Sequence, residues 1–250
     1  MAAPRLAGSA ALLLAVASCS TDSAGRDTGL LTVHPHPPTI GCPAGLQTLS
    51  LVGGGDALLY VPEAVAASKA AAPLLLFLHG AGGKPERPIQ SLSGQADARG
   101  FLLVAPRSLD YTWDAILGQM DRDVLRVERT LSAAMDRCDV DGSRLAVGGF
   151  SDGASYALTL GLANGDLFTH VLAFSPCLVG RGTVPRGSAR FFVSHGRADE
   201  ILPFTRCGAP LAKKLEGAGY RVRFLEFEGR HQLLPSIAEE GITWWLASPE

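Results

Sequence analysis

Residues 144–160 require an apolar strand to turn directly into an apolar helix with a serine at the corner. Arg144-Leu145-Ala146-Val147-Gly148 reads as the strand and Ala154-Ser155-Tyr156-Ala157-Leu158-Thr159-Leu160 as the helix, joined by Gly149-Phe150-Ser151-Asp152-Gly153. So abrupt a reversal strains the backbone and brings its segments close, which two residues without a Cβ permit. The serine is then held out at a sheet edge beside a helix N-terminus, where backbone N–H groups can meet developing negative charge. The five residues alone form a pattern that chance also produces. The flanking strand and helix give it meaning.

The chain supplies a sheet for this corner. Leu46–Val52 and Ala57–Val61, joined through Gly53-Gly54-Gly55-Asp56, read as a β-hairpin. Leu74–His79 and Phe101–Ala105 are continuous apolar runs, the mark of strands covered on both faces. Asp121 to Arg137 carries Val124, Leu125, Val127, Leu131 and Met135 on one helical face. After the serine helix come strands at Val171–Phe174, Arg190–His195 and Val222–Phe227, with helices around Ala209–Ala218 and through Ile237–Leu246. This alternation predicts an α/β fold, a mostly parallel sheet with helices on both faces, whose ligands bind at the carboxyl ends of the strands. The 250 residues suit one such domain with a short appendage. No internal repeat or second domain is evident, and Pro176–Ala189 is short for a cap over the site. A 47% hydrophobic and 18% charged composition supports a sizeable core. A net charge of −2, without a basic helix or basic aromatic patch, argues against nucleic acid and for a small soluble partner.

Residues 1–18 stand apart. Arg5 precedes an apolar stretch from Leu6 to Val16 that is short for a bilayer span and reads as a secretory signal. It ends in Val16-Ala17-Ser18-Cys19, which looks like a bacterial lipobox, so Cys19 is the expected lipidated N-terminus of a membrane-anchored exported protein. Ordinary cleavage after Ala15-Val16-Ala17 is the competing reading. Residues 19–45, rich in Thr, Ser, Gly and Pro, read as a linker, with Ser20 to Pro43 an extended tether in which His34 and His36 are plain linker residues. Cys42, Cys138, Cys177 and Cys207 form an even set, as disulfides in an exported chain require. Cys177 and Cys207 follow successive strands at the same sheet end, which favours Cys177–Cys207 and leaves Cys42–Cys138; four buried thiols are the alternative. Their spacing does not suggest zinc.

Four segments place reactive or polar groups just after strands. Ser151 is one. His79-Gly80-Ala81-Gly82-Gly83 is the second, a glycine-rich loop whose N–H groups can turn inward to form an oxyanion hole. It is no phosphate loop, because Lys84 is followed by Pro85. The third, His195-Gly196-Arg197-Ala198-Asp199-Glu200, offers Asp199 as the carboxylate that orients an imidazole, with Glu200 as its possible substitute. The fourth offers His231, which alone among the six histidines follows both Ser151 and Asp199 in a suitable loop. His79 and His195 read as loop-shaping residues and His170 as a surface residue. A serine hydroxyl is a weak nucleophile that His231 would deprotonate while Asp199 holds the tautomer. The N–H groups of Ala81 and Asp152 would hold the oxyanion, each worth about 3 kcal/mol.

This set, from Leu78-His79-Gly80-Ala81-Gly82-Gly83 through Gly149-Phe150-Ser151-Asp152-Gly153 and His195-Gly196-Arg197-Ala198-Asp199 to His231, resembles the α/β-hydrolase superfamily. More narrowly it resembles the phospholipase/carboxylesterase type of serine esterase and the related polyhydroxybutyrate-depolymerase and feruloyl-esterase group. The similarity runs from about Leu46 to Leu246 and makes residues 46–250 the catalytic domain. It implies an α/β-hydrolase fold of about eight strands without a large cap, and ester or thioester hydrolysis of a small molecule without metal or cofactor. A peptidase on the same fold and a catalytically silent binding lipoprotein are the alternatives. Asp152 stands where the carboxylesterase group commonly carries glutamine; only its N–H is required. The loop after Ser175 is particular to this chain and leaves the acyl pocket open. Trp113, after the Phe101 strand, is a candidate pocket wall or else a packing residue. Arg181, Arg186, Arg197 and Arg206 are expected in loops at the catalytic face, as anion-attracting groups or as a solvated surface.

Overall fold

Leu74, Leu76 and Leu78 point to one side of their strand and Leu75 and Phe77 to the other, and all five are buried. Such a strand needs cover on both faces. The computed structural model describes residues 29–68, 70–118 and 121–247. The signal reading of residues 1–18, lipidation at Cys19 and the linker up to residue 28 lie outside the described residues.

The strands are β1 (Gly45–Ser50), β2 (Asp56–Val61), β3 (Ala72–Leu78), β4 (Leu102–Pro106), β5 (Val140–Phe150), β6 (His170–Phe174), β7 (Arg190–Gly196) and β8 (Val222–Phe227). They form one eight-stranded sheet in the order β1-β2-β4-β3-β5-β6-β7-β8. β1 and β2 pair antiparallel, as do β2 and β4, and every later pairing is parallel. This is the α/β-hydrolase architecture. After β3 the chain steps to β4 on one side, then crosses back to β5 on the other. The connections leaving β3 and β5 therefore diverge and open a crevice at their carboxyl ends.

The helices are α1 (Glu63–Ser68), α2 (Glu86–Arg99), α3 (Arg122–Arg137), α4 (Asp152–Ala163), α5 (Gly208–Gly217) and α6 (Pro235–Leu246). One face of the sheet, with Leu74, Leu76, Val104 and Val147, packs on α3 and α4 through Val127, Leu131, Tyr156 and Leu160. The opposite face, with Leu75, Leu103, Ala146 and Phe192, packs on α2 and α6 through Ile89, Leu92, Ile242 and Trp245. Helix α2 escapes notice in the sequence because its few buried positions sit among charged and small residues.

Two expectations change. The extended tether is bound to the domain over its described part: Asn164 Oδ1 accepts from Leu31 N–H at 2.7 Å, and Asn164 Nδ2 donates to Gly29 O at 2.8 Å. Thr39 and Ile40 N–H donate to Asp136 O, and Cys42 is bonded to Cys138. Residues 29–42 form a strap that starts at the C-terminal end of α4 and runs to the C-terminal end of α3, where these groups find their partners. The connection after β6 is likewise laid down along α4. Ser155 Oγ accepts from Cys177 N–H and Thr159 Oγ1 from Gly180 N–H, so the segment runs toward the far end of that helix. Cys177–Cys207 ties its start to the N-terminus of α5. Both expected cysteine pairs are bonded.

His170 is the second. It is buried, not on the surface, with its ring edge-on to Trp244. Burial, then the charges of Arg190 and Arg221, hold its pKa down to about 4. The unfolded chain takes a proton near pH 6.5 while the folded chain resists, so this contribution is intact above pH 6.5 and is lost as pH falls toward 4, about 3 kcal/mol in all. In His170→Gln the fall in unfolding free energy across that window shrinks by this amount, read by urea unfolding at a series of pH values.

Candidate active site

Ser151 has φ 59° and ψ −122°, a backbone conformation that L-residues rarely adopt. Such strain costs of order 1–3 kcal/mol and survives only where neighbours enforce it. Ser151 N–H donates to Phe174 O at 2.9 Å, continuing the β5–β6 pairing one residue past the strand. The chain then enters α4 at once. A Cβ on Gly149 would lie 2.3 Å from Gly153 O, and one on Gly153 would lie 2.2 Å from Leu78 O. Both glycines are thus demanded by close approach, the second by the end of β3.

The His79–Gly83 loop is fixed from behind. Ser108 N–H donates to His79 Nε2 at 3.1 Å, so the ring proton sits on Nδ1 and is donated to Gly80 O at 2.8 Å. Burial lowers the pKa of His79, in keeping with a neutral ring. His79 O accepts from Trp113 Nε1 at 2.8 Å, and Gly82 N–H donates to Tyr111 O at 2.7 Å. Trp113 is fully buried against Tyr156. It does not wall a pocket; it holds this loop. The segment bearing it is anchored by two buried carboxylates. Asp114 Oδ2 accepts from the N–H groups of Asp121, Arg122 and Asp123, and Asp123 accepts from those of Leu109 and Asp114. Burial raises the pKa of Asp123.

The fold brings the three later candidates together. His231 Nε2 lies 2.8 Å from Ser151 Oγ, and His231 Nδ1 lies 2.7 Å from Asp199 Oδ2. Asp199 is buried, and its Oδ1 accepts from Ile201 N–H at 3.0 Å and Leu202 N–H at 2.8 Å. The His231 loop is tied to the Asp199 loop where Ala198 N–H donates to Gly229 O. Glu200 points away toward Arg230, 3.9 Å off. His195 is fully buried under Asp199, its Nε2 donating to Leu202 O at 2.7 Å and lying 3.2 Å from Asp199 Oδ2. Burial is the main cause lowering its pKa, so it braces the loop as a neutral ring.

At the other side of Ser151, the N–H groups of Ala81 and Asp152 have no partner among the described residues. The Asp152 carboxylate is drawn aside by Thr112 Oγ1, 2.7 Å from its Oδ2, a contact nothing in the sequence signals. Of the four loop arginines, Arg197 is paired with Glu226 at 2.7 Å. Arg186 N–H reaches Leu162 O near the far end of α4, so this residue does not stand at the catalytic face.

A cavity of about 390 Å³ opens beside Ser151 and His231, walled by Phe77, Phe150, Pro88 and Leu233. The sequence reading missed these walls because α2 and the segment after His231 reach the site only through tertiary packing. Among the described residues, no group of three or more His, Cys, Asp or Glu could hold a metal. The arrangement can polarise one hydroxyl and offers two N–H donors next to an apolar recess.

The phospholipase/carboxylesterase family profile matches residues 118–240, a span containing Ser151, Asp199 and His231. A comparison with curated proteins finds no match. Among solved structures, the chain is similar to a thermostable esterase, at 19% identity and TM-score 0.59 over 80% of this chain and 61% of that one. It is also similar to the Bacillus cereus carboxylesterase, at 18% identity and TM-score 0.59 over 76% of this chain and 92% of that one. An S-formylglutathione hydrolase from Staphylococcus aureus matches at 13% identity and TM-score 0.64, over 85% and 100% of the two chains. At these identities the structural likeness is one of fold.

Replacing Gly153 by alanine drives a methyl into Leu78 O, whereas Gly94 in α2 has nothing within 4 Å of its would-be Cβ. Gly153→Ala is expected to lose more than about 4 kcal/mol and Gly94→Ala to lose nothing. Thermal unfolding of the two variants side by side measures the difference.

Proposed function

We propose that this chain, which has the α/β-hydrolase fold and matches the phospholipase/carboxylesterase profile over residues 118–240, is a carboxylesterase/phospholipase-like hydrolase that cleaves carboxylic esters through an acyl-enzyme formed on Ser151. The observation that carries the reading is the unbroken line from Ser151 Oγ through His231 to Asp199, with links of 2.8 and 2.7 Å. In attack, Ser151 Oγ bonds to the ester carbonyl carbon while its proton passes to His231 Nε2. Asp199 Oδ2 holds the Nδ1 proton and balances the imidazolium charge. The carbonyl oxygen becomes an oxyanion and is met by the N–H groups of Ala81 and Asp152. That pair is supported by the open donors at the end of β3 and the start of α4, each worth about 3 kcal/mol in such a role. Collapse breaks the bond to the alcohol oxygen, which leaves with the proton from His231. Water then repeats the sequence on the acyl-enzyme, giving the acid and free Ser151.

Asp199 is suited to its part by burial and by two backbone donors on Oδ1, which leave Oδ2 aimed at the ring. Asparagine there would present the wrong hydrogen-bonding group to Nδ1–H, and the expected loss in kcat is about 10⁴-fold. Fluorophosphonate is expected to label Ser151 stoichiometrically in the wild type and to leave Ser151→Ala unlabelled. Absence of adduct on folded wild-type protein would refute the proposal. Turnover of p-nitrophenyl esters without turnover of peptide anilides separates esterase from peptidase.

We also infer that the protein is exported and anchored through a lipid on Cys19. Support comes from Val16-Ala17-Ser18-Cys19 and from two disulfides, which persist in oxidising compartments. Mass spectrometry of the mature N-terminus is expected to find acylated Cys19, and an unmodified N-terminus overturns this.

A further inference from the structure

The cavity beside Ser151 has one charged feature. Among its lining residues no carboxylate is present, and Arg87 is the only lysine or arginine. Arg87 stands in the first turn of α2, and Ser91, one turn on, lines the same cavity. Residues four apart share a helix face, so the guanidinium and the hydroxyl rise from α2 side by side. Neither side chain has an ion pair or hydrogen-bond partner among the described residues. The adjacent Glu86 is directed to Arg107, 3.6 Å away, and so does not neutralise Arg87. The rest of the wall is apolar or already engaged: Phe77, Pro88, Phe150 and Leu233 offer no hydrogen bond, and His79 has both ring nitrogens occupied.

A recess with an apolar wall, the nucleophile at one side and an unpaired guanidinium at its rim discriminates by charge. An uncharged acyl or alcohol group would fill the wall and leave Arg87 in water. A carboxylate or phosphate on the same group would gain a charge-assisted hydrogen bond from Arg87, which can be bidentate, and a second donor in Ser91. The chain as a whole carries −2 and does not attract anions, so this preference would be local to the cavity. Arg87 is exposed, which sets the gain at the low end for hydrogen bonds to charged groups, about tenfold in affinity.

We propose that Arg87, assisted by Ser91, makes this protein selective for esters bearing an anionic group, a carboxylate or phosphate, on the part of the substrate that fills the cavity. The proposal rests on the esterase reading above and specifies its substrate class. The test compares charged and uncharged esters of matched length. On the acyl side these are 4-nitrophenyl hemiglutarate and 4-nitrophenyl hexanoate; on the alcohol side they are 4-acetoxybenzoate and 4-nitrophenyl acetate. In at least one pair the charged-to-uncharged ratio of kcat/KM is expected to fall about tenfold on Arg87→Ala, chiefly through KM. Arg87→Lys should retain part of the preference, and Arg87→Glu should reverse it. Which pair responds identifies the side of the ester that occupies the cavity. The proposal is overturned if the ratio in both pairs is unmoved by Arg87→Ala and Arg87→Glu while the uncharged esters are still turned over. Absence of turnover of every ester by folded wild-type protein would instead overturn the esterase reading itself.

Discussion

The close approach of β3, β5 and α4 around Ser151 is the constraint on which the site depends. Gly153 lies so near Leu78 O that a methyl group cannot be placed between them, and Gly80 in turn packs against Phe150 O and Ser151 Cβ. The end of β3 therefore presses on the corner after β5, and the left-handed backbone at Ser151 is held by contact from both sides. The same contact brings Ala81 and Ser151 to one cavity, with Asp152 next in the chain. The Ser151 corner is positioned by backbone packing, before any side chain is asked to reach.

The remaining partners arrive by a second device, loops laced together by hydrogen bonds beyond the strand ends. His79 is locked by Ser108, Gly80 and Trp113; Asp199 by Ile201, Leu202 and His195; the His231 loop by Ala198. Buried groups carry much of this lacing, and each stays inexpensive only while paired. Asp114 and Asp123 show the logic. Two carboxylates are kept inside because five backbone N–H groups converge on them, and the segment they fix is the one that holds the His79 loop. Disulfides and the 29–42 strap secure the periphery.

Much of this was legible from particular residues. β3 shows itself by an unbroken apolar run, α3 by its amphipathic face, and Ser151 by its glycines. The order Ser151, Asp199, His231 pointed to one edge, and those three side chains meet. Other positions were not legible, for physical reasons. Trp113 carries the same side chain whether it faces a ligand or a core, and its burial follows from Tyr156, 43 positions later in the chain, stacking against it. His170 opens a strand, which reads as surface until α6 is laid across it. α2 has too weak a pattern to be noticed, yet it supplies Arg87 and Pro88 to the cavity.

The sequence by itself determined the class of fold, the order of its strands along the chain and the identity of the residues at their carboxyl ends. It could do so because strand burial, glycine at crowded turns and motif order are local properties, written in consecutive residues. Only the tertiary structure decided which of those ends adjoin, where Trp113 and His170 came to rest, what walls the cavity, and that the 29–42 segment lies on the domain. Those outcomes depend on the crossing from β4 over β3 to β5 and on packing between residues far apart in the chain, and no local pattern encodes them.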